Sequence, residues 1–233
     1  MPGLRALAQL SAAPIFWFDD SSASNDAILH NGTVVFVDVG NCVVGITAAH
    51  VLEQYRADKK SYASLMCQLG GVRFDPLDRL ISIDSSLDLA TFSVPEIIVT
   101  ASGRVVHRPL RWPPSNLQPS DLVLFGGYPG QLRIPRDREV EFAFVTLIGR
   151  VSQTSDTHGS IQLNLADSLW SPGERLSPGA DLGGMSGGPV FIHRNEPIET
   201  LELAGFIYQY QDSIEIVRVR HASHISTEGT VLP

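Results

Sequence analysis

Short apolar runs, four to eight residues long, recur along this chain and are separated by turn-forming residues. β-Branched and aromatic side chains dominate the runs, and Gly, Asn, Asp and Pro bound them, which is typical of β-strands rather than of helices. The pattern predicts strands over 34–39, 43–47, 80–83, 89–94, 122–125, 141–148, 161–165, 189–192, 203–210 and 214–219. Many short strands without alternating helical segments predict an all-β barrel or sandwich.

Helical periodicity is rare, and it predicts only short helices over 4–10 and 50–55. The stretch 101–121 contains four prolines and little apolar periodicity, so it predicts a connector between two β halves. We place the boundary within this connector, which divides the chain into an N-terminal half, 1–111, and a C-terminal half, 112–233.

Charge and hydropathy argue against several classes of protein. The 233 residues carry a formal net charge of −8 and show no basic stripe, which argues against a nucleic-acid partner. The apolar runs are far shorter than the about 20 residues that a bilayer requires, so no membrane span is predicted. The first ten residues make a poor secretory signal. We therefore expect a soluble, cytoplasmic protein.

The two cysteines, Cys42 and Cys67, are expected to be reduced and packed, as a cytoplasmic location implies. A bond between them stays open at this point, since pairing depends on geometry. His221 and His224 have a tempting spacing for a metal, but without nearby cysteine a pair of solvated imidazoles is the preferred interpretation. No phosphate-binding glycine loop is visible, so we assign no metal and no cofactor.

The segment 183–190, with the sequence GGMSGGPV, carries the candidate nucleophile. Ser186 lies among small residues, whose backbone can turn tightly enough for the N–H groups of Gly184 and Ser186 to converge on an oxyanion. A serine hydroxyl is a weak nucleophile by itself, so the interpretation requires a nearby base and a group that orients it. Taken alone, the segment is equally compatible with a glycine turn and a solvated serine.

Candidates for the base and for its orienting group lie upstream. His50 follows a strand-like run that ends in small residues, which leave room around the imidazole. Asp88 stands at the entry to the apolar run 89–94, where it can accept the imidazole N–H away from bulk water. Asp84 is the competing carboxylate, but it lies in a polar Asp-Ser-Ser stretch. Each residue alone has a structural explanation, and only their conjunction with the serine motif is specific.

In the chain order His, Asp, Ser, these motifs resemble those of the trypsin/chymotrypsin-like serine proteases. The match is closer to the bacterial branch that contains the HtrA protease domain, and no PDZ-like domain is expected after the serine. The matching segments are TAAH at 47–50, DLA at 88–90, GMSGGP at 184–189 and, more weakly, GYPG at 127–130. The resemblance implies an all-β fold of two six-stranded antiparallel β-barrels with few short helices.

The resemblance also implies a serine endopeptidase that hydrolyses peptide bonds through an acyl-enzyme. Ser186 would attack the scissile carbonyl, His50 would take the proton and later return it, and Asp88 would hold the imidazole tautomer. Met185 departs from trypsin, which has an acid at this position that pairs with a newly cut N-terminus. Activation by N-terminal cleavage is therefore not expected. Activity as made and ordering by a protein partner both stay open.

By position within the resemblance, four residues would line the pocket for the substrate side chain: Ala180, Asp181, Tyr208 and Tyr210. Ala180 stands near the base of that pocket and favours a small or apolar substrate residue. Asp181 leaves two alternatives, the attraction of Lys or Arg and the capping of a turn. The tyrosines are compatible with ordinary strand packing, although Tyr210 would narrow the pocket if it pointed inward.

Three functions stay open on the sequence. The preferred one is an endopeptidase that acts on a protein or peptide substrate, with one specific protein partner as the expected target. The alternative is a protease-fold binding or regulatory module whose active site is blocked or latent. The third is a narrow processing protease that cuts one co-expressed partner, which the sequence does not separate from a general protease.

Overall fold

Strands are the predominant regular element of the computed structural model, which describes residues 2–20, 30–136, 139–163, 181–195 and 199–233. The strands are β1 (Ala12–Asp19), β2 (His30–Asp38), β3 (Val43–Thr47), β4 (Leu65–Leu69), β5 (Val72–Arg73), β6 (Leu80–Asp84), β7 (Leu89–Ser93), β8 (Leu122–Gly127), β9 (Arg133–Arg136), β10 (Glu139–Phe142), β11 (Val145–Thr154), β12 (His158–Gln162), β13 (Pro189–Arg194), β14 (Thr200–Gln211) and β15 (Ile216–His221). The α-helices are α1 (Pro2–Leu10), α2 (Ala49–Ser61) and α3 (Glu96–Ala101), and 3₁₀ turns occupy Leu77–Arg79, Gly130–Leu132, Asp212–Ile214 and Ala222–His224.

Strands β1 to β7 form one antiparallel sheet, here called the first sheet, in the order β5-β4-β1-β2-β3-β7-β6. Its central strand β2 is buried on both faces. Val34 and Phe36 belong to the apolar cluster that α2 covers, whereas Val35 and Val37 belong to a cluster shared with the second half of the chain. Because side chains alternate across a strand, a strand between two cores has no polar face, which explains the continuous apolar run.

Strands β8 and β11 to β15 close into a six-stranded antiparallel barrel in the order β11-β12-β15-β14-β13-β8. One apolar cluster fills its interior and includes Phe125, Leu147, Ile161, Val190 and Val219. Closure pairs the outermost strands with each other, so the barrel presents no strand edge. The remaining strands, β9 and β10, form a separate hairpin.

The predicted all-β class, with few short helices and a closed six-stranded barrel in the second half, is confirmed. The first half differs from the predicted six-stranded barrel. It has seven strands, and within the described residues no ladder joins its edge strands β5 and β6. The additional strand β5 forms a hairpin with β4 through Gly70 and Gly71, both at positive φ. Sequence reasoning also missed β1, where Pro14 interrupts the apolar run.

Helix α2 runs to Ser61, beyond the end predicted near residue 55. Its buried residues, Val51, Leu52 and Tyr55, cover one face of the first sheet, and this packing sustains a helix whose exposed side is charged. The longest described helix is α2, with 13 residues, and no described helix has the length and apolar content that crossing a bilayer requires.

The terminal segments cross between the two halves of the fold. Helix α1 packs on β8 and β11 of the barrel. The last residues of the chain return to the first sheet, where Gly229 O accepts a hydrogen bond from Thr91 Oγ1 and Thr227 O accepts one from Asn41 N–H. Along the chain, the strands of the first sheet precede the predicted connector and those of the barrel follow it. We therefore propose a division of the strands near residue 112. The two terminal segments each pack on the half to which the neighbouring strands do not belong.

The connector is anchored between the two halves by His107. Its N–H donates to Phe36 O at 2.8 Å, and its carbonyl accepts from Asp38 N–H at 2.9 Å, so His107 pairs with β2 in a single parallel bridge at Val37. The imidazole packs edge-on against Phe191 of the barrel, with ring centroids 5.3 Å apart, and the residue is 7% exposed. Burial lowers the pKa of His107 to about 4, because the charged imidazolium has no water there.

This burial predicts a loss of stability in weak acid. Between an ordinary pKa of 6.5 and the folded value of about 4, the unfolded chain binds a proton that folded His107 does not, so the free energy of unfolding falls as pH falls. The contribution is about 3 kcal/mol across that window. In urea unfolding from pH 7 to pH 4, His107→Leu is expected to show a smaller decline than the wild type by roughly this amount. Measurement of both proteins at pH 8 isolates the packing change, and parallel pH curves would contradict the assignment.

Candidate active site

His50 stands in the first turn of α2, just after β3 ends at buried Thr47. Between them, Ala48 and Ala49 are 1% and 0% exposed, so the helix starts close against the sheet with no bulky neighbour beside the imidazole. The side chain of His50 is 49% exposed. The small residues noted in the sequence therefore hold the ring at the surface of the first sheet and leave one side of it open.

Asp88 ends the turn between β6 and β7 and has a φ of 53°. Aspartate is one of the few residues other than glycine that tolerate this left-handed conformation. Both carboxylate oxygens contact His50: Oδ1 accepts from the backbone N–H at 2.9 Å, and Oδ2 lies 2.8 Å from Nδ1. This pair of contacts fixes both the start of α2 and the orientation of the imidazole.

Asp84, the competing carboxylate, has a different role. Its Oδ1 accepts from Ser86 N–H at 2.8 Å, from Ser86 Oγ at 2.6 Å and from Leu87 N–H at 2.9 Å. The hydrogen bond from the Ser86 hydroxyl, together with those from the two amides, lowers the pKa of Asp84. Asp84 therefore builds the turn that presents Asp88, and the orienting contact to His50 belongs to Asp88.

The segment 182–188, here called the glycine-rich loop, contains Ser186. Five successive carbonyl groups of this loop accept hydrogen bonds, two from within the loop and three from Thr33 and Gly130 outside it. The bonds run from Met185 N–H to Leu182 O (3.1 Å), Gly130 N–H to Gly183 O (2.6 Å), Thr33 Oγ1 to Gly184 O (2.9 Å), Gly188 N–H to Met185 O (2.8 Å) and Thr33 N–H to Ser186 O (2.9 Å). In a trans peptide the N–H is antiparallel to the preceding carbonyl, so the amides of Gly184 and Ser186 point the opposite way from these bonds.

Two glycines of the loop are required by its path. Gly184 has a φ of +95°, and a Cβ there would lie 2.4 Å from Asn31 Nδ2 and 2.6 Å from Tyr128 O. Gly187 has a φ of +89°, and a Cβ there would lie 2.1 Å from Thr33 O. Distances under 3 Å leave no space for a side chain, so both positions need glycine for their conformation and for their close approach to the first sheet and, at Gly184, to the turn after β8.

A cavity of about 270 Å³ opens beside the loop and is lined by both His50 and Ser186. Its other lining residues are Asp181, Leu182, Gly183, Met185, Ile207, Tyr208, Gln209, Tyr210 and Val217. The cavity therefore unites the candidate base, the candidate nucleophile and three of the four predicted substrate-binding residues. The fourth, Ala180, lies outside the described residues. Asp88 is not among the lining residues, and its carboxylate is hydrogen-bonded to Nδ1 of His50.

Asp181 lies at the exposed rim of this cavity, where its Oδ1 accepts a hydrogen bond from Gly183 N–H at 2.7 Å. This is the contact expected of a carboxylate that caps a turn. The deeper wall consists of Leu182, Met185, Ile207 and Val217, each 1–3% exposed. The cavity is thus apolar in its depth, with one carboxylate at its edge.

The two tyrosines form another wall of the cavity, and each is held by neighbours. The Arg220 guanidinium lies 4.5 Å from the centroid of the Tyr208 ring, and the ring of His158 meets Tyr208 edge-on with the two centroids 6.4 Å apart. Tyr210 packs against the barrel core, and its hydroxyl is buried without a hydrogen-bond partner among the described residues. Burial, with added repulsion from Glu215 and Asp212, raises the pKa of Tyr210 and keeps its phenol neutral.

The similarity of this chain to known proteins is distant. No protein-family model matches the chain, and no curated protein matches it in sequence. A thermostable serine protease, AL20, from an extremophilic microorganism is 12% identical, with 92% of each chain covered and a TM-score of 0.48. The serine protease domain of the Sesbania mosaic virus polyprotein is 14% identical, with 90% of this chain and 87% of that chain covered and a TM-score of 0.46. These values are too low to assign an activity, which depends on the geometry of the site.

Sequence reasoning missed the residues that support the loop from the other half of the fold. In the sequence Thr33 stands just before the strand predicted over 34–39, and no motif singles it out. Asn31 donates from Nδ2 to Tyr128 O at 2.8 Å and accepts from Arg133 Nη1 at 3.0 Å. The weak GYPG match at 127–130 was the one sequence signal for a segment that supports the loop. This turn follows β8, and its Gly130 N–H donates to Gly183 O of the loop.

Among the residues that the structure describes, no group of three His, Cys, Asp or Glu side chains is arranged to hold a metal ion. Both cysteines are free, with Cys42 half-buried and Cys67 buried. Burial raises the pKa of the Cys67 thiol, which makes it an inert core side chain rather than a nucleophile.

The close approach at Gly187 is testable by comparison with Gly71, which has a similar φ of +85° but open space within 4 Å of the point where a Cβ would lie. Alanine at Gly71 should lower the free energy of unfolding by about 1–2 kcal/mol, from left-handed backbone strain alone. Gly187→Ala adds the clash with Thr33 O and should lose clearly more in urea unfolding. Equal losses for the two variants would show that the loop does not approach the first sheet as described.

Proposed function

We propose that this protein is a serine endopeptidase of the trypsin/chymotrypsin-like class, with His50, Asp88 and Ser186 as its catalytic triad. One observation carries the proposal: the 2.8 Å contact between His50 Nδ1 and Asp88 Oδ2 lies at a cavity that Ser186 also lines. A histidine oriented by a carboxylate beside a serine in a glycine-rich loop is the arrangement that nucleophilic catalysis requires.

The hydrogen bond to Asp88 assigns the proton roles of His50. A carboxylate accepts, so Nδ1 carries the hydrogen and Nε2 keeps a lone pair for the serine hydroxyl. Ser186 Oγ then bonds to the scissile carbonyl carbon while its proton passes to Nε2. His50 next gives this proton to the leaving amine as the peptide C–N bond breaks, and water repeats the sequence to release the acyl group.

The negative charge that develops on the carbonyl oxygen is assigned to the N–H groups of Gly184 and Ser186. The carbonyls of Gly183 and Met185, which share peptide planes with those two amides, are hydrogen-bonded to Gly130 and Gly188. The amides are therefore held in place before substrate binds, and preorganised donors of this kind contribute about 3–4 kcal/mol each to the lowering of the barrier.

The substrate proposed is a protein or peptide with a small or apolar residue at the cleaved bond. The apolar depth of the cavity supports this preference, and Asp181 is engaged by Gly183 N–H at the rim. A Lys or Arg substrate would need that carboxylate as its counter-charge at the base of the pocket. Cleavage of one specific partner, rather than of general substrates, remains part of the proposal.

The first test is reaction with a fluorophosphonate probe, read by intact mass. The wild type should gain one adduct and Ser186→Ala none, because only an activated serine attacks the phosphorus at a useful rate. Ser152→Ala is the control, since Ser152 is exposed and its hydroxyl donates to Ser160 O, away from the cavity. Folded wild type that stays unlabelled would overturn the proposal and favour the binding or regulatory module with a latent site.

The roles of the two aspartates give a second test. Asp88→Asn should slow fluorophosphonate labelling by about 10⁴-fold, because an amide favours the wrong imidazole tautomer. Asp84→Asn keeps an oxygen that can accept from Ser86 and Leu87 and should label close to the wild-type rate. Labelling rate constants at matched fractions of folded protein decide the comparison. An equal slowing in both variants would contradict the assignment of Asp88.

A further inference from the structure

We infer that Thr33, a buried residue of β2 in the first sheet, is a positioning residue for the nucleophile. This inference rests on the proposed function, and it concerns how Ser186 is held in register with His50. Thr33 touches neither the proposed substrate site nor the imidazole. It acts through the glycine-rich loop and through the strand that precedes His50.

Every polar group of Thr33 is hydrogen-bonded. The hydroxyl donates to Gly184 O at 2.9 Å and accepts from Tyr128 N–H at 3.0 Å. The backbone N–H donates to Ser186 O at 2.9 Å, and the backbone carbonyl accepts from Thr47 Oγ1 at 2.8 Å. The residue is 0% exposed, so water cannot replace any of these bonds.

These bonds join the two halves of the proposed active site. The partners of the N–H and the hydroxyl, Ser186 and Gly184, are the two residues whose amides are assigned to the oxyanion. The partner of the carbonyl, Thr47, lies three residues before His50 at the end of β3. One residue therefore connects the strand that carries the base with the loop that carries the nucleophile.

The hydroxyl of Thr33 is the part that mutagenesis can remove. The hydroxyl donates one hydrogen bond and accepts another at the same time. Among side chains no larger than threonine, only serine carries a hydroxyl that can do the same. Valine has nearly the same shape but leaves Gly184 O and Tyr128 N–H unpaired in a dry interface. The loop would then move to satisfy these groups, and a displacement of about 1 Å at a reacting group lowers rates by about 100-fold.

The control is Thr91, a threonine of β7 in the same sheet. It is also 0% exposed, and its hydroxyl donates to a backbone carbonyl distant in sequence, Gly229 O. Thr91→Val thus removes a buried hydroxyl of the same kind, but its bond joins the first sheet to the chain terminus rather than to the glycine-rich loop. A purely structural effect should be shared by the two valine variants.

The experiment measures the fluorophosphonate labelling rate and the urea midpoint for Thr33→Val, Thr33→Ser and Thr91→Val. Both valine variants should lower the midpoint. Thr33→Val alone should lower the labelling rate of folded protein, by about 100-fold, and Thr33→Ser should restore most of it. Equal labelling in Thr33→Val and the wild type, or equal slowing in Thr91→Val, would overturn the inference.

Amide hydrogen exchange separates this inference from the proposed function. If the wild type is not labelled at all, the proposed function fails, and exchange of peptides covering 182–188 still tests Thr33. Gly187 N–H, bonded to Ile207 O, and Gly188 N–H, bonded to Met185 O, are the reporters. Faster exchange in Thr33→Val than in Thr91→Val supports the role of Thr33 in holding the loop, and equal exchange contradicts it.

If Thr33→Val does not fold, the connection between β3 and the glycine-rich loop can be tested at Thr47 instead. Thr47→Val removes only the hydrogen bond to Thr33 O. Slower labelling, or faster loop exchange, in folded Thr47→Val is the expected result. Wild-type values for both measurements would overturn the inference.

Discussion

The glycine-rich loop belongs to the second half of the chain, yet hydrogen bonds from the first sheet hold two of its carbonyl groups. A backbone with four glycines among seven residues has more conformational freedom than any other, and it keeps one path only where its polar groups have fixed partners. Thr33 supplies two of these partners, to Gly184 and Ser186. The path of the loop at Gly184 and Ser186 therefore depends on the docking of the first sheet against the barrel.

The docking itself comes from an apolar cluster that both halves share. Val35 and Val44 of the first sheet pack in the same cluster as Leu124, Phe191 and Phe206 of the barrel. This cluster removes water from the interface, and in that dry setting an unpaired hydrogen-bonding group costs about 1–3 kcal/mol. Burial and hydrogen bonding therefore support each other: the apolar contacts exclude water, and the exclusion makes one arrangement of the polar groups strongly preferred.

Three aspartates around the candidate active site have different roles, which their local hydrogen bonds determine. Asp84 is engaged by the amides and the hydroxyl of its own turn, while Asp88, at the end of the same turn, presents both oxygens to His50. Asp181 is engaged by Gly183 N–H. A carboxylate whose partners lie two or three residues away builds a turn, whereas one whose partner lies on another element is able to orient an imidazole.

The apolar pattern of the chain was enough to predict the all-β class, whereas the closed barrel of the second half was expected only from the resemblance of the motifs around His50, Asp88 and Ser186 to a known family. Strands and the glycine-rich loop leave local signals, because apolar runs bounded by turn residues mark strands and the glycines around Ser186 allow a path that other residues do not. Two features became visible only in the folded protein: the seven strands of the first sheet, where Pro14 in β1 and the two-residue β5 conceal the pattern, and the support of the loop by Thr33. Thr33 is 151 residues from Gly184 along the chain, and an interior threonine of an apolar strand carries no local sign of a partner so distant.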